Sequence, residues 1–251
     1  MKFDFAVYGD CRHSPDVHRH VATSMAMTKP AFVLNTGDLV DDGDDDTLIA
    51  QFREITRELR TGRDYLPARG DHEGATSAIL RKEFSIDKTY YYDKVIGDCH
   101  LFVLDSTNRF EDKEQLAWLE ERAAASKAKH KFAVFHHPPF MIRSERMPEA
   151  DRIRPIIHPL LVKLKFCAAF CGHQHAFYTT VRDGLRYVVT GGGGAPLWKV
   201  DPSLGLPGDL SSKMWHWVGC RFEGLKVTGI VVDRYGQPQS DLGFTVCEHK
   251  V

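Results

Sequence analysis

Phe132-Ala133-Val134-Phe135-His136-His137-Pro138-Pro139 is a short apolar run that passes directly into histidine and then proline. A run of this length, closed by turn residues, reads as a buried β-strand whose carboxyl end delivers a polar side chain. The same grammar recurs along the chain. Phe5-Ala6-Val7-Tyr8 leads to Gly9-Asp10, and Ala31-Phe32-Val33-Leu34 leads to Asn35-Thr36-Gly37-Asp38. Tyr65-Leu66-Pro67-Ala68 leads to Arg69-Gly70-Asp71-His72-Glu73, and Phe166 to Phe170 leads through Cys171 to Gly172-His173-Gln174-His175. In open α/β sheets ligands bind beyond the carboxyl ends of the strands, so side chains placed there converge. Asp10, Asp38, Asp71, His136, His173 and His175 are therefore read together as candidate metal ligands.

Between these runs lie helical patterns. Ser14-Pro15-Asp16 supplies a capping residue, a proline for the first turn and an early acid, which predicts a helix over Asp16 to Met27. Leu48, Phe52, Ile55 and Leu59 have helical spacing within Thr47 to Leu59, as do Leu116, Leu119 and Ala123 within Glu111 to Ala128. Asp151 to Lys165 is a further helix, interrupted by Pro155 and Pro159. Leu101 to Leu104 reads as a strand. After His175 the pattern changes to strands joined by tight turns such as Asp183-Gly184 and Glu223-Gly224, which are hairpin signals. Val200 to Ser212 reads as a loop. No repeat or linker divides the 251 residues, and one domain over 1–251 is expected.

The formal net charge is -1, and hydrophobic residues make up 43% of the chain. These values describe an ordinary globular protein, and the lack of basic excess argues against nucleic-acid partners. Neither a secretion signal nor a membrane-length apolar stretch is visible, so no membrane partner and a cytoplasmic location are expected. The six cysteines are scattered without a CxxC pair, which suggests neither a disulfide framework nor a zinc knuckle; Cys167 and Cys171 read as buried thiols. His18, His20, His100, His130, His158 and His216 have no partner spacing and default to core or surface roles. Asp41-Asp42-Gly43-Asp44-Asp45-Asp46 lacks the ligand spacing of a calcium loop and reads as a solvated acidic loop.

Carboxylates and imidazoles together suit divalent ions such as Mn, Fe, Zn or Ni. Two such ions close together can clamp an in-line phosphoryl displacement and activate a bridging water. In the order of its motifs, the chain resembles the calcineurin-like metallophosphoesterase superfamily, whose pattern runs D-x-H, G-D, G-N-H-E/D, H and G-H-x-H. Gly9-Asp10, Gly37-Asp38, Gly70-Asp71-His72-Glu73, His136 and Gly172-His173-Gln174-His175 match in order. The resemblance implies a four-layer α/β/β/α sandwich, with two mixed central sheets flanked by helices. It implies two divalent transition-metal ions: Asp10 and His175 on the first, Asp38 bridging, and Asp71, His136 and His173 on the second. His72 is implied near the substrate phosphate, where it can steady charge or protonate the leaving oxygen.

Two positions depart from that pattern. Arg12 stands where the motif has histidine, and Asp71 stands where it has asparagine. Guanidinium offers no lone pair, so the first ion loses a ligand, with His13, Asp41 or water to replace it. Purple acid phosphatases, in the same superfamily, also lack that histidine but supply a tyrosine at the position corresponding to Asp41. Asp71 adds a negative charge and Arg12 a positive one, so the formal charge of the site is unchanged, and Arg12 is left to grip phosphate oxygens. Asn108, Arg109, Arg143 and Arg146 follow strand ends and could reach a substrate, whereas Trp198, Trp215 and Trp217 are expected to pack between sheets. The expected function is hydrolysis of a small-molecule phosphomonoester or phosphodiester by in-line attack of a dimetal-bound hydroxide. The alternative is a non-catalytic, protein-binding scaffold on the same fold.

Overall fold

Two mixed sheets stack face to face, and the computed structural model describes residues 2–86 and 89–249. The first sheet has the order β13-β12-β11-β1-β2-β3, with β1 (Phe5–Tyr8), β2 (Phe32–Asn35), β3 (Asp64–Pro67), β11 (His216–Glu223), β12 (Lys226–Asp233) and β13 (Pro238–Glu248). The second has the order β10-β8-β9-β7-β6-β5-β4. Its strands are β4 (Tyr92–Ile96), β5 (Cys99–Val103), β6 (His130–Val134), β7 (Ala168–Cys171), β8 (Phe177–Arg182), β9 (Leu185–Thr190) and β10 (Leu210–Ser212). β1, β2 and β3 run parallel, as do β5, β6, β7 and β9, so the predicted ligand-bearing ends of each group emerge on one side.

Three apolar clusters separate the layers. Phe5, Phe32, Phe132, Phe170 and Val218 meet between the sheets, where Phe5 stacks on Phe32 at 4.9 Å. Val21, Met25, Ile49 and Phe52 from α1 (Pro15–Met27) and α2 (Asp46–Arg60) pack with Tyr8 and Val33 on the outer face of the first sheet. Leu119 from α4 (Lys113–Ala125) and Ile153, Ile157 and Leu161 from α5 (Met147–Lys163) pack with Phe102, Phe135 and Tyr187 on the second. The layers are thus helix, sheet, sheet, helix, as the motif resemblance implied. Each fully buried Phe or Leu contributes ~1.5–3 kcal/mol relative to exposure. Among the described residues no helix is long and apolar enough to cross a membrane.

Several elements differ from the sequence reading. α5 is continuous through Pro155 and Pro159, because both prolines lie on its exposed face, where unpaired carbonyls can be hydrated. Within Val200 to Ser212, β10 adds an edge strand to the second sheet by pairing with β8. α3 (Ala78–Phe84), β4 and the long edge strand β13 are additions to the predicted set. The acidic stretch after β2 is structured: Asp45 caps α2 through the amides of Thr47 and Leu48, and Asp44 accepts from Thr76 and Ala78.

Candidate metal centre

The strand ends place the six predicted ligands in two adjoining groups. Asp10, Asp38 and His175 bring donor atoms within 4.8 Å of one another, and so do Asp71, His136, His137 and His173. Asp38 Oδ1 lies 3.4 Å from His136 Nε2, so its carboxylate reaches both groups, as a bridging ligand must. The sequence reading did not place His137 in the set. The doubled histidine before Pro138 was the available signal, and its Nε2 stands 3.8 Å from Asp71 Oδ1.

The backbone is contorted to achieve this convergence. Asp10, Asp38 and His173 hold φ of 56°, 55° and 65°, a left-handed conformation that costs non-glycine residues energy and concentrates at functional sites. Two glycines make room. A Cβ on Gly37 would lie 2.9 Å from His136 Nδ1, and one on Gly70 would collide with Asp38 Oδ1. Glu73, fully buried, ties the two turns together by accepting from the amides of Asp38 (3.2 Å), Leu39 (2.7 Å) and Gly70. Burial, followed by the charge of Asp38, pushes its carboxyl up to about 8.

Hydrogen bonds fix the imidazole tautomers. His136 Nδ1 donates to the Thr36 carbonyl at 2.9 Å, and His175 Nδ1 to the Pro196 carbonyl at 2.8 Å; a carbonyl only accepts, so both Nε2 atoms point into the site. His136 Nε2 then faces Asp71 Oδ1 at 2.9 Å, a contact that needs a cation, whether proton or metal, between the two. Burial opposes a charge on His136, yet Asp38 and Asp71 drive its pKa well up. Partial desolvation disfavours the ionised form of Asp71, whose side chain is otherwise exposed, and His136 and His173 nevertheless hold it well below the usual carboxylate range. Desolvation of His137, which is partly buried beside two other imidazoles, pushes it well down. On α5, Glu149 accepts from His173 Nε2 at 2.7 Å, leaving Nδ1 3.3 Å from Asp71; this orienting carboxylate had no signal in the sequence. The arrangement of preset lone pairs and carboxylates is that of a divalent-cation site, and the nitrogen and oxygen donors fit ions of intermediate softness.

Arg12 lies inside the first group. Its Nε donates to Asp38 Oδ2 at 3.0 Å, its Nη2 stands 3.4 Å from His175 Nε2, and its Nη1 is 3.4 Å from Asp41. The two protein candidates for the missing ligand stand outside the group: Asp41 is occupied by Arg12 and the His13 amide, and the His13 ring is exposed. His72 sits at the rim, its amide on Asp38 Oδ1 at 3.1 Å and its Nδ1 on the Asp41 carbonyl at 2.9 Å.

Beside the second group a cavity of about 200 Å³ is lined by Asp71, His137 and His173 together with Arg109 and Arg146. Arg143 does not line it; its guanidinium lies over Trp198, 4.2 Å from the ring centroid. Trp198 lies against His175 with ring centroids 4.4 Å apart and meets His173 edge-on at 5.7 Å, so it borders the site and does not pack between the sheets. Trp217 is buried against Phe3, and Trp215 bonds the Ala195 carbonyl.

The family model of calcineurin-like phosphoesterases matches residues 4–177. The chain is 26% identical over 236 residues to the tartrate-resistant acid phosphatase type 5 of Oryctolagus cuniculus, covering 75% of this chain and 72% of that one. It is 28% identical over 167 residues to a probable glycerophosphodiester phosphodiesterase, GpdQ, of Arcobacter nitrofigilis, covering 61% and 59%. The fold matches that of the purple acid phosphatase PPD1 from yellow lupin with a TM-score of 0.82 at 16% identity, over 96% of this chain and 53% of that one.

Proposed function

Because the chain belongs to the calcineurin-like phosphoesterase family, we propose that it hydrolyses a small phosphate ester with two divalent transition-metal ions held at the strand ends. One observation carries the reading. A carboxylate placed to bridge, Asp38, joins two groups of candidate ligand atoms, the second of which opens on a cavity lined by Arg109 and Arg146. Asp10, Asp38 and His175 would hold one ion, and Asp38, Asp71, His136 and His173 the other, with His137 beside it. Bound there, such ions supply Lewis acidity and lower the pKa of coordinated water.

The protein's own groups bind and orient the ester. Arg109 and Arg146 line the cavity and offer planar donor forks matched to phosphate oxygens. His72 Nδ1 is tied to a carbonyl, so Nε2 faces the ester and, in the imidazolium form, would be the atom that passes a proton to a leaving oxygen. Arg12, on swinging away from Asp38, can add a further donor. A second reading is favoured by the same residue: Arg12 already bonds two first-group ligands, which suits an enzyme with one ion and a fixed guanidinium in place of the other.

Protein stripped of metal and reloaded with Mn²⁺, Zn²⁺, Fe²⁺ or Ni²⁺ is assayed with a nitrophenyl monoester and a bis-nitrophenyl diester. Metal-dependent turnover that falls at least 100-fold in Asp38→Asn supports the proposal. No metal bound and no turnover with any ion would leave the sandwich as a protein-binding scaffold. Metal stoichiometry near one in active protein would select the second reading.

A further inference from the structure

At the opposite end of the strands, His130, Cys167, Cys247 and His249 bring four nitrogen and sulfur atoms within 4.8 Å of one another. His130 opens β6 and Cys167 immediately precedes β7, both in the second sheet; Cys247 lies in β13 and His249 just after it, at the edge of the first. The group lies ~20 Å from the catalytic end, from the rise per residue between His130 and His136.

We propose that these four residues form a structural Cys2His2 site for a thiophilic divalent cation, zinc foremost, that staples the two sheets together. The edges of the cluster support this. Cys167 Sγ is 3.4 Å from His249 Nε2, Cys247 Sγ is 3.6 Å from His130 Nδ1, and the two histidine nitrogens are 3.1 Å apart. Tetrahedral zinc with ordinary Zn–S and Zn–N bonds has sulfur–nitrogen edges of ~3.5 Å and a nitrogen–nitrogen edge of ~3.3 Å. No carboxylate belongs to the set, so it selects soft ions over magnesium or calcium. The surroundings suit a closed site as well. His130 is buried and stacked parallel to Phe132, Phe222 covers it at 5.6 Å, and the partly exposed Cys247 and His249 leave a route for the ion. A divalent ion binds both sulfurs as thiolates, so loading the site releases their protons.

The test uses the full chain, reduced, stripped of metal and loaded with Co²⁺. A thiolate-to-cobalt charge-transfer band is expected at one equivalent of thiolate-bound ion, because the catalytic ligands include no sulfur. The band should vanish in Cys167→Ser/Cys247→Ser and persist in Asp38→Asn, so this inference and the phosphoesterase reading fail separately. Zinc analysis should show one ion per chain more in the wild type than in the double variant. His249→Ala, at the partly exposed end of the cluster, should lose at least 10-fold in zinc affinity and serves if the double variant does not fold. A wild type without the band, a band that survives the double variant, or as-isolated protein in which Cys167 and Cys247 form a disulfide and no extra ion is bound would each overturn the proposal.

Discussion

Arg12→Ala should tighten the first ion. In the folded protein the guanidinium donates to Asp38 Oδ2 at 3.0 Å and approaches His175 Nε2 at 3.4 Å, and those are two atoms that the proposed first ion would use. His175 Nε2 carries one lone pair, since Nδ1 is committed as a donor to Pro196, so arginine and metal compete for it. Asp38 is buried and Arg12 largely so, which makes their contact a charge-assisted hydrogen bond worth about 2 kcal/mol. The half-exposed Asp41 contact adds little. Metal binding in the wild type has to break the Asp38 contact, and the variant does not. The first-site Kd is therefore expected to fall by a factor of about 30. Arg12→His, which restores a ligand at that position, should lower it further.

Metal-depleted wild type and variant would be titrated with Mn²⁺, with the free ion followed by electron paramagnetic resonance. A two-step isotherm in the wild type that merges toward one tight phase in Arg12→Ala is the expected result. Turnover at saturating metal then reports the second role of the residue: if the displaced guanidinium holds phosphate, kcat/KM drops in the variant although the metal binds better. A first-site Kd unchanged within about threefold would refute the competition argument. A rise from one ion to two in the variant would show that arginine replaces the first ion in the wild type.

Other perturbations test the supporting shell. Glu73→Ala strands three buried amides, those of Asp38, Leu39 and Gly70, and should cost about 3 kcal/mol in denaturant unfolding, whereas Glu73→Gln keeps one acceptor and should cost less. Glu149→Gln removes the carboxylate that orients His173 and should weaken the second ion about 10- to 100-fold with little change in Tm. Burial depresses His18 to about 3 in the folded state, against an ordinary value of 6.5. The neutral form is the folded one, so stability is fully present above pH 6.5 and declines as pH falls toward 3, by about 2 kcal/mol at pH 5. His18→Gln should flatten that acid branch in pH-dependent unfolding; the slope that remains belongs partly to His216, which burial lowers to about 4.

What could be read in the sequence was whatever is encoded locally. A buried parallel strand is a short apolar run, and the residue after its carboxyl end is fixed in place by the strand itself, so the six candidate ligands were visible; the layer order followed from the resemblance of the ordered motifs to a known family. The side of the site that Arg12 would take was not, because it depends on Asp38, 26 positions away, being within reach. Glu149 carries no mark in Arg146-Met147-Pro148-Glu149; only the packing of α5 brings it to His173. β13 escaped notice because it is a polar edge strand with register shifts against β12, so strict alternation is broken. α3 has seven residues and follows Ser77, which adopts a left-handed conformation at the N-cap and makes no side-chain cap. For the same reason His130, Cys167, Cys247 and His249 looked unrelated: they come from three strands in two sheets, and no spacing rule spans that.

The distribution of donors over the two sheets explains why the packing between them matters for chemistry. Asp10, Asp38 and Asp71 follow β1, β2 and β3 of the first sheet, whereas His136, His173 and His175 follow β6 and β7 of the second. Each half alone is incomplete: the acids would repel one another, and the imidazoles would have no charge to neutralise the ions. The arrangement therefore exists only when the two sheets hold their mutual register, and the tilted and edge-on packing of Phe5, Phe132 and Phe170 between them helps to hold it. The second cluster obeys the same rule with softer donors, since His130 and Cys167 belong to the second sheet and Cys247 and His249 to the first. An ion there would restrain sliding of β6 and β7 at their amino ends, and those strands deliver the imidazoles at the other. A slip of one residue along β6 moves His136 by ~3.3 Å, about the whole distance between its Nε2 and either carboxylate. Fixing the amino ends of these strands is thus a means of aligning a site that they reach only at their carboxyl ends.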